Sequence, residues 1–289
     1  VVNPAALARN LDGHRQGNNW RCDCPLGCGY KLSLANGDDG KLLAYCHGGH
    51  GYEAILTALV QFGLLDDGEC FDAPLPSSKP KADPAQNIET ARSIYAPLAP
   101  AAGTPAECYL RSRAIGLPVP STLRFGACPH RLGGAFPAMA APVVGVDGKL
   151  TGIHMTYLHP DGTGKADFAD PDFQRETRGV IRGGSIRLAP HIPERELIIA
   201  EGIETTLSAM EIFGLPGWSS VSAAGLKTVE LPPTVRCVVI AEDNDLTGAG
   251  QRNALAARQR WTGEGRAVRV VIPPEAGTDF NTILGRGKI

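Results

Sequence analysis

Short apolar runs alternate with amphipathic stretches through the last third of the chain. The runs at 197–200, 217–222, 237–241 and 267–272 have the length and composition of buried strands. Between them, 204–213 and 249–262 carry apolar residues at helical spacing. Such alternation predicts a mostly parallel sheet with helices on its faces over 195–289. Upstream the pattern changes. Residues 88–95 and 105–114 predict helices, and two apolar runs between 139 and 157 flank Asp147-Gly148-Lys149, which predicts a hairpin. Residues 88–194 therefore read as a mixed α+β subdomain.

The first 65 residues form a third pattern. Asn3 followed by Pro4 predicts a capped helix over 3–10. Strand-like pieces at 30–34 and 41–45 are joined by Asn36-Gly37-Asp38-Asp39-Gly40, a hairpin signal. A helix is expected over 52–62, stopped by Gly63. Pro74, Pro76, Pro80 and Pro84, set among serines and charges, make 66–87 an extended linker. The expected fold class is α/β: a small N-terminal ribbon (1–65), a linker, the mixed subdomain (88–194) and a Rossmann-like domain (195–289).

Composition changes this picture little. The 289 residues are 43% hydrophobic and 20% charged, as in ordinary globular proteins. No stretch reaches 18 apolar residues, so no membrane helix is expected. The start, Val1-Val2-Asn3-Pro4, has no signal-peptide pattern, which points to the cytoplasm. It also lacks Met, so the chain is expected to be trimmed or cut from something longer. A net charge of −2 gives no global case for nucleic acid. Lys165, Arg175, Arg178, Arg182 and Arg187 form either a local basic patch or a solvated face.

Cysteine placement is more informative. Cys22, Cys24, Cys28 and Cys46 fall in the first 50 residues; Cys70, Cys108, Cys128 and Cys237 are scattered. Two ligand pairs on either side of a hairpin make a structural zinc site, and small domains need such a staple. The expected set is Cys24, Cys28, Cys46 and His50. Cys22 and His47 are spare donors, so two registers are open.

The strand ends carry acids. Glu201-Gly202 follows the run 197–200, Asp243-Asn244-Asp245 follows 237–241, and Asp279 lies beyond 267–272. Ligands of open α/β sheets bind at the carboxyl ends of the strands. Carboxylates meeting there repel unless a divalent cation sits among them, which points to Mg²⁺ or Mn²⁺ and phosphate chemistry. Glu204 opens the following helix, where an acid also complements the helix dipole. No P-loop and no G-x-S-x-G elbow is present.

Glu201-Gly202 with Glu204, Asp243-x-Asp245 and the Asp279 element together resemble the Toprim domain of primases, topoisomerases and related nucleases. The Cys/His ribbon is similar to the zinc-binding domain of DnaG-type primases. Tyr109–Ile115, Leu123–Gly126, Phe136–Met139 and Gly152-Ile153-His154 are similar to the start of their polymerase domain. The order of parts is that of a phage, plasmid or mobile-element primase. Three departures stand out: the first metal pair is C-x-x-x-C, Glu204 stands where primases commonly have Asp, and Asn244 where they commonly have Gly.

The resemblance implies a nucleotidyltransferase that makes short RNA primers on single-stranded DNA from NTPs. Asp243 and Asp245 would hold the catalytic metal, with Glu201 as general base or further ligand and Asp279 as another ligand. Lys165, Arg175, Arg178 and His154 would grip template or triphosphate. A replicative helicase, on a separate chain or a lost C-terminal part, would be the partner. A Toprim nuclease and a non-catalytic DNA-binding module remain as rival readings.

Overall fold

The computed structural model describes residues 2–16, 19–37, 40–65, 83–244 and 249–287. The chain divides into two compact units, 1–81 and 82–289.

In the first unit, helix α1 (Pro4–Asn10) starts where Asn3 Oδ1 accepts from the amides of Ala5 and Ala6. Four antiparallel strands follow in the order β1 (His14–Gln16), β2 (Asn19–Asp23), β3 (Lys31–Asn36) and β4 (Leu42–Cys46). Helix α2 (Tyr52–Gln61) closes the unit. Alternation buries Leu32 and Leu34 of β3 and Leu42 of β4, and these pack with Leu7, Ile55 and Leu59 from the two helices. The hairpin and both helices match the expectation; β1 and β2, short and mostly polar, had no apolar run to announce them.

The second unit opens with α3 (Pro84–Tyr95), capped by Asp83. The last four residues expected in the linker, 84–87, are therefore helical; 66–82 lie outside the described residues. Next come β5 (Ala99–Pro100), α4 (Pro105–Ser112), β6 (Arg124–Pro129), β7 (Ala135–Val144), β8 (Leu150–Tyr157) and β9 (Arg175–Gly179). The five strands form an antiparallel sheet in sequence order. One face, with Ala138, Ala140, Ile153 and Met155, packs on Ala91 of α3. The other, with Met139, Ala141 and Val143, packs on Tyr109 and Leu110 of α4 and on Ile203 and Leu207 farther along the chain. The sheet thus lies between α3 and the C-terminal domain.

That domain contains β10 (Ile186–Arg187), β11 (Leu197–Ala200), α5 (Ile203–Phe213), β12 (Gly217–Ser219), α6 (Ala223–Leu226), β13 (Cys237–Ala241), α7 (Ala249–Gly263), β14 (Ala267–Val271) and α8 (Phe280–Gly285). The sheet order is β10-β12-β11-β13-β14, parallel except for β10. All four residues of β11 are buried, as a central strand covered on both faces requires. Helix α5 ends at Gly214, whose φ of 63° is a left-handed cap. The strand expected over 217–222 stops at Ser219. There Ser219 Oγ donates to the Glu201 carbonyl at 2.6 Å and accepts from the Val221 amide at 3.1 Å, turning the chain off the sheet. Val221 sits at φ 72°, a strained conformation for a β-branched residue.

Candidate functional site

The first unit brings one donor cluster together. The turn after β2 carries Cys24 and Cys28, β4 ends in Cys46, and His50 lies just before α2. Among the described residues, these four form the only group of three or more His, Cys, Asp or Glu donors with all ligand atoms within 4.8 Å of one another. Cys46 Sγ lies 3.5 Å from Cys24 Sγ and 3.6 Å from both Cys28 Sγ and His50 Nδ1; Cys24 Sγ and His50 Nδ1 are 3.4 Å apart. Thiolates about 2.3 Å from a central ion at tetrahedral angles are about 3.8 Å apart. The donor set therefore fits a closed four-coordinate metal site. Burial pushes the Cys46 thiol up, but the backbone amides of His50 and Gly48 and the neighbouring thiols outweigh it and hold it near 7, readying a thiolate. A Cβ at Gly48 would lie 2.8 Å from Cys28 Sγ, so only glycine lets the chain pass this close.

The structure also separates the spare donors from this cluster. Cys22 is fully buried in the core with its thiol donating to the Leu32 carbonyl at 3.6 Å, and burial raises it to about 11. His47 Nε2 is 2.8 Å from Ser33 Oγ, and its ring stands edge-on to Tyr45.

In the second unit Glu201 and Asp243 lie at the switch point of the C-terminal sheet. β12 and β13 flank β11 on opposite sides, with Ala200 in register with Ser219 and with Ala241. Glu201 and Asp243 follow one and two residues after these adjacent parallel strand ends, which lie about 4.8 Å apart. Both are half-buried, whereas Glu242 is buried and its amide donates to Val271, continuing the ladder to β14. Asn244 is pinned to the next loop: it exchanges backbone hydrogen bonds with Thr278 and Gly277, and its Nδ2 donates to the Pro273 carbonyl at 2.9 Å. That tie gives the asparagine between the two aspartates a positional reason. Asp245 lies outside the described residues. Asp279 caps α8, its Oδ1 accepting from both the amide and the hydroxyl of Thr282 at 2.6 Å.

The four residues expected to grip template or triphosphate do not stay together. In β8 and β9, Thr156 pairs with Arg175, His154 with Thr177 and Ile153 with Arg178. His154 and Arg175 thus share the sheet face that meets α4 and α5, and Arg178 lies on the opposite face. There Arg178 and Arg131 hold the buried carboxylate of Glu176, at 2.8 and 2.7 Å. His154 is buried, and burial lowers it to about 4, so its ring is neutral near pH 7 and adds no positive charge. Lys165 Nζ lies 3.3 Å from Glu204 Oε1, which also accepts from the Tyr109 hydroxyl at 2.6 Å. Burial works against the Glu204 anion, yet Lys165 and Tyr109 overcome it and hold the carboxyl down to about 2. No local pattern announces this contact, because Tyr109 and Glu204 are 95 residues apart in the chain.

Two family models match parts of the second unit. Residues 85–188 match a domain of unknown function, DUF7146, and residues 196–288 match the Toprim domain. None of the curated proteins matches the chain. Among solved structures, the chain is similar to the primase fragment of the bacteriophage T7 primase-helicase, at 18% identity and a TM-score of 0.40 over 56% of this chain and 62% of that one. It spans less than two thirds of that fragment. It is also similar to the zinc-binding and RNA polymerase domains of the Aquifex aeolicus primase, at 15% identity and a TM-score of 0.48 over 98% and 79% of the two chains. A third is a DnaG primase catalytic domain bound to single-stranded DNA, at 13% identity and a TM-score of 0.44 over 71% and 77%. No helix among the described residues is long and apolar enough to cross a membrane. The parallel sheet with acids at its central strand ends and the family match over 196–288 together make the C-terminal part of this chain a Toprim domain.

Proposed function

We propose that the chain is a primase that joins ribonucleotides on a single-stranded DNA template. The observation that carries this is Glu201 and Asp243 at neighbouring parallel strand ends, at the switch point of a Toprim sheet. Their carboxylates, with Asp245, are the hard oxygen donors that Mg²⁺ or Mn²⁺ takes. When bound, the divalent ion would lower the pKa of a 3′-hydroxyl and offset charge on the phosphoryl group. Glu201 would accept the hydroxyl proton. Ser219, bonded to the Glu201 carbonyl, fixes the backbone from which that carboxylate projects. Asp279 has its Oδ1 committed to α8 and keeps one oxygen for such an ion.

Two features favour primer synthesis over DNA cleavage by the same fold. Lys165 and Arg175 flank the Toprim domain with positive charge suited to a triphosphate. The ribbon, whose Cys24, Cys28, Cys46 and His50 would hold structural Zn²⁺, exposes a sheet face on which Arg21, Ser33 and Tyr45 lie in one row. Tyr45 is 66% exposed, as a platform for stacking an unpaired base requires. A replicative helicase is the expected partner of such an enzyme. Incubation with single-stranded DNA, NTPs and Mg²⁺ should yield labelled RNA, and Asp243→Ala should lower the yield by roughly 10²-fold or more. Shortened DNA in place of RNA, or primers still made by Asp243→Ala, would refute the proposal.

A further inference from the structure

Tyr109, Glu204 and Lys165 come from three separate segments. Tyr109 lies on α4, Glu204 in the first turn of α5, and Lys165 just after β8, where Leu158 bridges to it. The Glu204 side chain is 12% exposed and that of Lys165 23%, and Tyr109 is buried. A pair this deep is poor glue, because desolvation consumes most of its attraction and apolar side chains would join the segments as well. What the carboxylate adds is direction. An ammonium on a flexible stem has three donors and many rotamers. Here the ammonium is paired with Glu204 Oε1 at 3.3 Å, and among the described residues no other group pairs with it.

The surroundings are short of acceptors. His154 and Arg175 share the sheet face beside this group. His154 Nδ1 is buried and has no hydrogen-bond partner among the described residues. Lys165 and Arg175 therefore both act on a buried imidazole and on the Glu204 carboxylate. We infer that Glu204 is a positioning residue: its carboxylate, steadied by Tyr109, sets Lys165 so that the free N–H groups of Lys165, with Arg175, receive the phosphate oxygens of a nucleoside triphosphate. This rests on the phosphate-handling part of the function proposed above and not on primer synthesis itself.

The sign of one substitution separates positioning from plain electrostatics. Glu204→Gln removes a negative charge, so a field effect alone would tighten anion binding. Loss of positioning weakens it, because Lys165 must then be ordered at the moment of binding. The probe is inorganic triphosphate, titrated calorimetrically into the full chain without divalent ion at fixed salt. Glu204→Gln should weaken binding about tenfold and the milder Tyr109→Phe about threefold, each judged against its thermal midpoint. The exchange Glu204→Lys with Lys165→Glu should recover the midpoint without recovering binding. The inference is overturned if Glu204→Gln binds as tightly as the natural chain or tighter, if the exchange restores binding together with stability, or if the natural chain does not bind triphosphate. A natural chain that binds triphosphate in the expected pattern yet makes no RNA would sink the primase reading and leave this one standing.

Discussion

Stripping the metal from the Cys24, Cys28, Cys46 and His50 site should unfold the N-terminal unit and leave the other unit folded. Domains carry roughly 0.05–0.15 kcal/mol of stability per residue, so residues 2–65 of this unit hold about 3–10 kcal/mol in all. Structural Zn²⁺ contributes an apparent 10–16 kcal/mol, roughly, in small domains at neutral pH. The ion's share exceeds the whole, so the apo unit falls on the unfolded side. The geometry says why no other contact substitutes. The four ligands tie the turn after β2 to the end of β4 and to the start of α2, and Cys46, 1% exposed, touches the other three. Without an ion these donors face one another at close range, with the Cys24 thiol pushed up to about 12 chiefly by burial. Amide hydrogen exchange read by mass spectrometry, with and without chelator, locates the loss. Peptides across 19–46 should lose protection while those across 197–241 keep theirs. Cys46→Ser should reproduce the chelated pattern, and Cys22→Ser, which alters only a core thiol, should keep the metal. Protection retained over 19–46 in a chain shown by metal analysis to be empty would refute the reasoning.

Two further outcomes can be measured on the second unit. Glu176→Gln should lower its stability by about 2 kcal/mol, the value for a broken buried pair reduced because Arg131 and Arg178 are 43% and 37% exposed; that is roughly 4–8 °C in Tm. The Arg131 amide and the two guanidiniums hold Glu176 below its ordinary value against the opposing effect of burial. Its stabilisation is therefore present above the unfolded carboxyl pKa of about 4.3 and is lost as pH falls through the lower folded value, so acid titration of Tm should flatten in the variant below about pH 4. Asp279→Ala should cost about 1 kcal/mol by uncapping α8, whereas Asp279→Asn, an equally good cap, should keep Tm and lower primer synthesis; full activity in the asparagine variant would remove Asp279 from the metal site.

What the sequence revealed followed the strength of each local signal. β11 and β13 are unbroken apolar runs, and the fold needs them buried on both faces, so their ends and the acids beyond them could be read directly. The metal set could be read as far as its residue types. The preferred set with Cys24 is the one the structure brings together, but Cys22 stayed open as an alternate, because excluding it depends on which cysteine faces the core, a matter of strand register. The separation of Arg178 from the other basic residues was hidden for a related reason. Arg175 and Arg178 are neighbours in sequence, but three steps along a strand turn a side chain to the opposite face. The Tyr109–Glu204 contact was hidden for a different cause: it joins segments 95 residues apart, and no periodicity records such a meeting.

Strand β10 has a consequence for where this protein can be divided. Ile186 and Arg187 fall inside the upstream family match, 85–188, yet they pair with Ser219 and Trp218 of the Toprim sheet. The upstream segment therefore supplies the border of its neighbour's sheet. Cut at the family boundary, residues 196–288 would present β12 as an unprotected edge, with the Arg187 guanidinium gone from the face of Trp218. The modules that recur in evolution and the piece that folds as one body have different borders here. A fragment begun at the family boundary would therefore lack one strand of the sheet that the second unit builds.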